Sequence, residues 1–476
     1  MSEKRQKTRN QSTLNAQELG EAEKECTRGN EARAARGQTE NPASTMNLME
    51  EVLESENLKR AYQRVVQNKG AAGVDKLTVD DLKPYLAANW TRIRKELLEG
   101  KYAPKEVRSV EIPKITGGMR QLGIPSVIDR FIQQALQQVL QKHFDASFSQ
   151  FSYGFRPGKS QHQAVEQAQK YVCSGLSYVV DMDLEKFFDT VCHDVLMGRL
   201  AKRIADKRVL KVLRAFLNSG MMKNGLVSPT EEGVPQGGPL SPLLSNLLLD
   251  ELDKELESRK LHFVRYADDC NIYVSSQRAG ERAMESITSF LANKLRLRVN
   301  KEKSAVRRPW ERKFLGFTFT KEKKVRRRIA PTALLRLKQR LKEMTQRNRG
   351  NSIGQVVKEL KTYMTGWYNY FKFCETPTVL RDIEAWLRHR LRCMIWKRWK
   401  RSSTRFERLR DLGLSVLHAT EGAGNGSRGP WRMSASPPMH KALSNKYFRK
   451  LGLPEFTLMV NAKLAEPPYA DPHVRW

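Results

Sequence analysis

Two short runs of the chain set carboxylates where apolar strands belong. The first, Tyr178-Val-Val-Asp-Met-Asp-Leu-Glu-Lys-Phe-Phe-Asp189, carries a β-branched strand into Asp181 and Asp183 and then into an aromatic pair. The second, Phe263-Val-Arg-Tyr-Ala-Asp-Asp-Cys-Asn-Ile-Tyr-Val274, flanks Asp268 and Asp269 with two apolar half-strands, the pattern of a hairpin with acids at its tip. Neighbouring acids inside apolar β-structure repel each other and lose hydration, so a cation must offset them. With carboxylates as the only ligands, Mg²⁺ is the expected ion, and two such ions activate an attacking hydroxyl and stabilise a leaving pyrophosphate. For either run alone, ordinary surface turn acids are the competing explanation; two such runs in one chain weigh against it.

The elements that must hold these runs lie between about residues 46 and 330, where strand-like stretches mix with helical ones, an α+β body. After Pro331 the pattern becomes purely helical. Leu334, Leu337, Leu341 and Met344 form one stripe at three-and-four spacing, Ile353 to Phe371 a second, and Val379, Ile383, Trp386, Leu387 and Met394 a third. Breaks at Arg349-Gly-Asn-Ser352 and Pro377 divide them into three helices. Residues 1–45 hold no aromatic residue and nearly balanced charge, which predicts a disordered leader. A Gly-rich stretch, Glu421 to Pro430, precedes a short tail containing Trp431, Tyr447, Phe448 and Leu451.

A formal net charge of +33 makes nucleic acid the default partner. The excess is concentrated in two windows: residues 321–350 carry 12 Lys/Arg against two Glu, and residues 381–410 carry 11 against three acids. Arg381, Arg388 and Arg392 fall seven and four residues apart on one helix face, with few acids to pair them, so phosphate contact is expected there. Arg326, Arg327, Arg328, Arg336 and Arg340 of the first window are expected to contact nucleic-acid phosphates in the same way. Mean hydropathy is −0.60 and no apolar run approaches a bilayer span, so no membrane association is expected. The polar amino terminus lacks a signal sequence, and the six cysteines show no C-x-x-C spacing. The expected compartment is the cytoplasm.

Several blocks in order carry a resemblance. Tyr266-Ala-Asp-Asp269 resembles the reverse-transcriptase signature, and Gln236-Gly-Gly-Pro-Leu-Ser-Pro242 the Q-G-x-x-x-S-P block of group II intron reverse transcriptases. Ile112-Pro-Lys with Arg120-Gln-Leu-Gly-Ile-Pro125, Ser152-Tyr-Gly-Phe-Arg-Pro-Gly-Lys-Ser160, Leu297-Arg-Val-Asn-Lys-Glu-Lys303 and Lys313-Phe-Leu-Gly-Phe317 follow the family order. The helical module with Gly366-Trp-Tyr-Asn-Tyr-Phe371 is similar to its maturase, or thumb, domain. The resemblance implies an α+β right-hand polymerase with fingers and an antiparallel palm sheet over 46–330. An all-α thumb/maturase domain over 331–402 and a C-terminal DNA-binding segment over 403–476 complete it.

It further implies an RNA-directed DNA polymerase that assists splicing of its own intron RNA and copies that RNA during intron mobility. Asp183 matches the first catalytic acid, with Asp181 and Asp189 as rivals, and Asp268 and Asp269 complete a triad holding two Mg²⁺ ions. Phe188 matches the aromatic beneath the incoming sugar that excludes a 2′-hydroxyl. Lys114 and Arg120, on a hairpin turning at Thr116-Gly-Gly, suit a triphosphate clamp, and Gln236 lines the nucleotide pocket. Lys303 donates a proton to pyrophosphate or neutralises it, and Arg156 touches template phosphate or braces a loop. Expected partners are the intron RNA, an RNA template with a DNA primer, target DNA, dNTPs and a second copy in a homodimer. Residues 403–476 hold only His418, His440 and His473 and no cysteine, so no endonuclease is expected and the primer must come from elsewhere. Two alternatives stand beside this reading: a retron-like or diversity-generating reverse transcriptase, and a non-catalytic RNA-binding splicing chaperone.

Overall fold

The computed structural model describes residues 45–113, 118–223, 226–228, 232–234, 237–346, 350–424 and 429–456. The expected leader falls outside the described residues except for Thr45. Among the described residues ten strands occur in chain order: β1 (Val107–Pro113), β2 (Met119–Ile124), β3 (Tyr178–Met182), β4 (Met221–Lys223), β5 (Leu226–Ser228), β6 (His262–Tyr266), β7 (Asp269–Val274), β8 (Ala305–Arg307), β9 (Phe317–Phe319) and β10 (Arg327–Ile329). The chain divides into two compact units. One comprises 1–149, 186–251 and 295–297; the other comprises 150–185, 252–294 and 298–476. No helix among the described residues is long and apolar enough to cross a membrane.

The first unit holds a sheet ordered β2-β1-β4-β5, in which β1 runs parallel to β4 and the remaining pairs are antiparallel. Its strands β1 and β2 pair antiparallel, Ile112 with Arg120 and Pro113 with Met119, as expected of a hairpin. Helix Val127–Phe144 is buried almost all round, and Ser126 caps it by accepting from the Asp129 amide at 3.0 Å.

The second unit is built on an antiparallel sheet ordered β6-β7-β3-β8. Val179, Val180 and Ile272 on its central strands, and Phe263 and Val264 on the edge strand β6, are buried, because helices cover both faces. Helix Gln161–Cys173 lies on the Val179 and Tyr273 face, where Tyr171 meets the Tyr273 ring at 5.6 Å. Helix Gln277–Phe290 lies on the other. There Gly280 permits close approach: a Cβ on it would come within 2.5 Å of a Val306 methyl. The sheet's β-branched surface thus packs directly on helix backbone.

The three expected helices are present as Pro331–Met344, Ile353–Phe371 and Thr378–Arg398. Pro331 opens the first at a position where its missing N–H costs nothing. Ser352 and Gln355 form a capping box at the second. These helices share one continuous apolar core with the sheet, running from Tyr153 and Val264 through Leu360 and Trp396 to Phe456. The aromatic motif at 366–371 supplies part of this joint. Phe371 packs 5.2 Å from Phe317, Trp367 5.6 Å from Phe456, and the Tyr370 hydroxyl donates to the Leu315 carbonyl at 2.8 Å. Beyond Arg398 the chain continues as short helices from Ser402 to Lys450, burying Leu409, Phe448 and Phe456.

Candidate active site

Pairing of β3 with β7 sets Asp181 opposite Asn271 and Met182 opposite Cys270, so the next step along this register brings Asp183 to Asp269. Pairing of β6 with β7 closes the hairpin at Tyr266 and Asp269, leaving Ala267 and Asp268 as a two-residue tip. Strand alternation puts Val179, Asp181 and Asp183 on one face. The backbone of Asp183 is fixed from the other side of the sheet. Its amide donates to Ser304 Oγ at 3.0 Å, and its carbonyl accepts from the Asn300 amide at 2.8 Å. Sequence reading overlooked Asn300, whose side chain also accepts from the Glu302 and Lys303 amides. That local turn delivers Lys303 Nζ to 3.4 Å from Asp183 Oδ2.

The electrostatics are those of crowded acids. Surrounding protein, then repulsion from Asp268, Asp181 and Asp183, pushes the Asp269 carboxyl up to about 7. Asp269 nonetheless retains an open face to solvent, which screens part of that repulsion. Burial raises the Asp181 carboxyl as well, against the opposing charge of Arg312. Arg312 donates to it from Nε at 2.7 Å and Nη2 at 2.5 Å, which makes Asp181 an ion-pair residue beside the site. Among the described residues no three His, Cys, Asp or Glu side chains are drawn together in metal-ligating geometry. Their donor chemistry nonetheless suits Mg²⁺: all are hard carboxylate oxygens, and their repulsion is of the kind a divalent ion relieves. Asp189, the other rival to Asp183, lies exposed inside the short helix Phe187–Thr190.

A second group, absent from the sequence-based candidates, holds the tip. Arg265, fully buried, forks onto Asp253 through Nε at 2.7 Å and Nη2 at 2.5 Å. The same guanidinium donates to the Ala267 carbonyl at 2.9 Å and to Ser152 Oγ at 2.8 Å. Ala267 has φ +57°, a left-handed conformation costly for an L-residue, and it is buried. Gly154 presses on it: a Cβ there would sit 2.3 Å from the Ala267 nitrogen. The signal was present in the sequence, since Arg265 interrupts an apolar strand and a buried guanidinium requires an acid.

Other predicted residues are placed as follows. Phe188 is half-buried in the first unit, meeting Phe187 edge-on at 5.2 Å, and Arg120 is exposed on β2. Lys114 and Gln236 lie outside the described residues. Arg156 donates to the Ser152 carbonyl at 3.0 Å and so braces its own loop. Of the first basic window, Arg328, Arg336 and Arg340 are exposed, Arg340 pairing with Glu343 at 3.0 Å. Arg326 pairs with Glu322, and Arg327 is held by Glu375 at 3.3 Å and by the Phe373 ring.

The helix face carrying Arg381, Arg388 and Arg392 requires correction. Arg381 is exposed, but Arg392 is 3% exposed, donates to the Leu443 carbonyl at 2.9 Å and lies over the Phe448 ring. Arg388 pairs with buried Glu384 at 3.6 Å. Neighbouring Arg390 bonds the Lys342 carbonyl and Thr345 at the end of helix Pro331–Met344. Arg392 is covered by the following short helices, while Arg388 is taken by an acid of its own helix and Arg390 by the end of helix Pro331–Met344. They are therefore not a free phosphate-binding row.

Comparison with known proteins adds a further finding. Residues 112–319 match the model of the reverse transcriptase (RNA-dependent DNA polymerase) family, and residues 334–413 that of the group II intron, maturase-specific domain. Protein YkfC of Escherichia coli is 32% identical over 321 residues, which cover 59% of this chain and 83% of that protein. The group II intron-encoded protein LtrA of Lactococcus lactis is 35% identical over 207 residues, 43% of this chain and 34% of that protein. A putative COX1/OXI3 intron 2 protein of Saccharomyces cerevisiae is 28% identical over 319 residues, 54% of this chain and 37% of that protein. The match spans about a third of the length of each of these last two relatives.

Proposed function

The chain belongs to the group II intron-encoded reverse transcriptase and maturase family, which serves intron splicing and retromobility, and we propose that it polymerises DNA on intron RNA at Asp183, Asp268 and Asp269. The observation that carries this reading is the crowding of carboxylates at the β3 and β6–β7 ends, which holds Asp269 at about 7. Two Mg²⁺ ions held by these three acids would activate the primer 3′-hydroxyl and neutralise charge on the departing pyrophosphate. Lys303, beside Asp183, contributes positive charge on the leaving-group side. Arg312 occupies Asp181 and so keeps it out of the ligand set.

In the same reading the molecule is a right-hand polymerase, with β6-β7-β3-β8 as palm and the helices after Pro331 as thumb and maturase module. Phe188 bars a 2′-hydroxyl, while Lys114, Arg120 and Gln236 hold the dNTP. The exposed cations Arg328, Arg336 and Arg340 meet intron RNA, with Arg326, Arg327 and Arg381 at its margin, and target DNA binds through residues after 403. The deciding test is Asp268→Ala with Asp269→Ala. This variant should lose dNTP incorporation on poly(rA)/oligo(dT) while keeping intron-RNA affinity, because RNA binding uses the basic surface. Incorporation at wild-type rate refutes the assignment.

A further inference from the structure

Beside the catalytic turn the chain displays an aromatic ring that packing does not explain. Phe155 is 50% exposed, although its loop is bolted to the β6–β7 hairpin. The Tyr153 amide donates to the Arg265 carbonyl at 2.9 Å, the Arg265 amide to the Phe151 carbonyl at 3.0 Å, and Gly154 lies against the Ala267 backbone. Arg156 and Lys159 close the loop by bonding the carbonyls of Ser152 and Gln150. At Phe155 itself φ is +57°, a conformation that glycine adopts freely and phenylalanine adopts at a cost. A strained backbone thus holds a large apolar side chain in water, with its centroid 6.2 Å from the ring of Tyr266, the residue that opens the catalytic turn. Both the strain and the exposure oppose folding, which points to use of the ring by a ligand.

We infer that Phe155 is a stacking platform for an unpaired base of the RNA template just ahead of the primer terminus. The inference rests on the polymerase reading above. A ring fixed in place presents its face without an ordering cost, and base stacking on aromatic side chains is the sequence-tolerant contact that a template of changing sequence requires. Bases inside a duplex are already stacked on their neighbours. Near a polymerising end, the faces open to such contact belong to the single-stranded template. The chain's formal net charge of +33 favours a nucleic-acid strand through its phosphates.

The positive φ supplies a clean test, because Phe155→Gly removes the ring and relieves the backbone together. Full-length wild type, Phe155→Gly, Phe155→Trp and Phe155→Leu are compared by thermal melting. Their affinity is measured at fixed salt for two probes, a DNA primer on an RNA template with a short 5′ overhang and the same duplex made blunt. The Gly variant should melt at or above the wild-type temperature and bind the overhang probe about tenfold more weakly, with blunt-duplex affinity unchanged. Trp should restore the overhang preference and Leu should not. Equal loss on both probes, no loss on either, or a lowered melting temperature with both affinities kept overturns the inference. A wild-type chain that extends no primer refutes the polymerase reading instead, whereas a wild type that extends normally while Phe155→Gly keeps its overhang preference refutes only the template platform.

Discussion

Breaking the buried Arg265–Asp253 pair should separate holding the catalytic turn from holding the fold. Both side chains are fully buried, and the guanidinium spends one Nη2 proton on Ser152 and an Nη1 proton on the Ala267 carbonyl. Asp253→Leu alone strands a buried cation and should cost about 3–5 kcal/mol. Arg265→Met alone strands the carboxylate by a similar amount and adds about 1–3 kcal/mol for the buried Ala267 carbonyl. The double variant Arg265→Met with Asp253→Leu removes both charges and should recover most of that stability, as apolar replacements of buried pairs do. It cannot recover the bond to Ala267. Single-turnover dNTP incorporation by the double variant should therefore stay about 10- to 100-fold below wild type, the loss expected when reacting groups shift by about an ångström. Primer–template affinity should be unchanged. Denaturant unfolding and single-turnover kinetics on the four proteins complete the cycle. Wild-type turnover in the stable double variant would show that the pair serves the fold alone.

Three further outcomes are expected. In chelator, Asp269→Asn should leave stability unchanged below about pH 4 and raise it above pH 7. A carboxyl raised from 3.8 to about 7 contributes stability that is complete below its ordinary value and is lost as pH rises through 7. Its open face reduces the ideal effect of about 4 kcal/mol to about 1–2 kcal/mol, and melting curves across pH 4–9 measure it. Phe188→Ala should raise rNTP use relative to dNTP in single-nucleotide kinetics, and an unchanged ratio would return this half-buried ring to packing. Arg336→Glu with Arg340→Glu should flatten the log-affinity against log-salt slope for intron RNA by up to about 0.9 per lost contact. Arg392→Met should instead lower the melting temperature, by leaving the Leu443 carbonyl unpaired, and leave that slope unchanged.

The strands and acids were legible because strand signals are local. Val179 and Val180 declare β3, Ala267-Asp268 falls between two apolar half-strands, and antiparallel pairing then has one register that buries both. The three helices after Pro331 were legible from their stripes and caps. Arg392 was misread because spacing assigns a residue to a face but does not say what covers it. It stands within an unbroken buried run from Leu391 to Trp396, and a helix apolar all round is enclosed, which should have marked its charge as internal. Asp253 and Arg265 were not paired in the reading because one lies on helix Ser241–Ser258 and the other on β6, and the turn between the two elements, not any residue pattern, brings them together. Asn300 went unnoticed for a different reason: its role lies in two backbone amides, which no residue pattern displays.

The two charge imbalances of this chain have opposite signs and different scales. Across its length it carries +33, with exposed cations at Arg328 and Arg336; where β3 meets the tip of the β6–β7 hairpin it crowds Asp181, Asp183, Asp268 and Asp269. Internal pairing relieves part of each. Arg388 and Arg392 are consumed by the protein's own acid and carbonyl groups, and Arg312 and Lys303 screen two of the four carboxylates. What is left unrelieved coincides with what the proposed reaction brings: a polyanion for the basic surface, and divalent cations with a nucleotide for the acidic tip. Ligands that bind only the folded state stabilise it by mass action. A chain whose residual repulsions match its substrates is therefore most stable when assembled with them, and the strained turn at Ala267 stays in place because Arg265, a charge already satisfied inside the fold, holds it independently of either ligand.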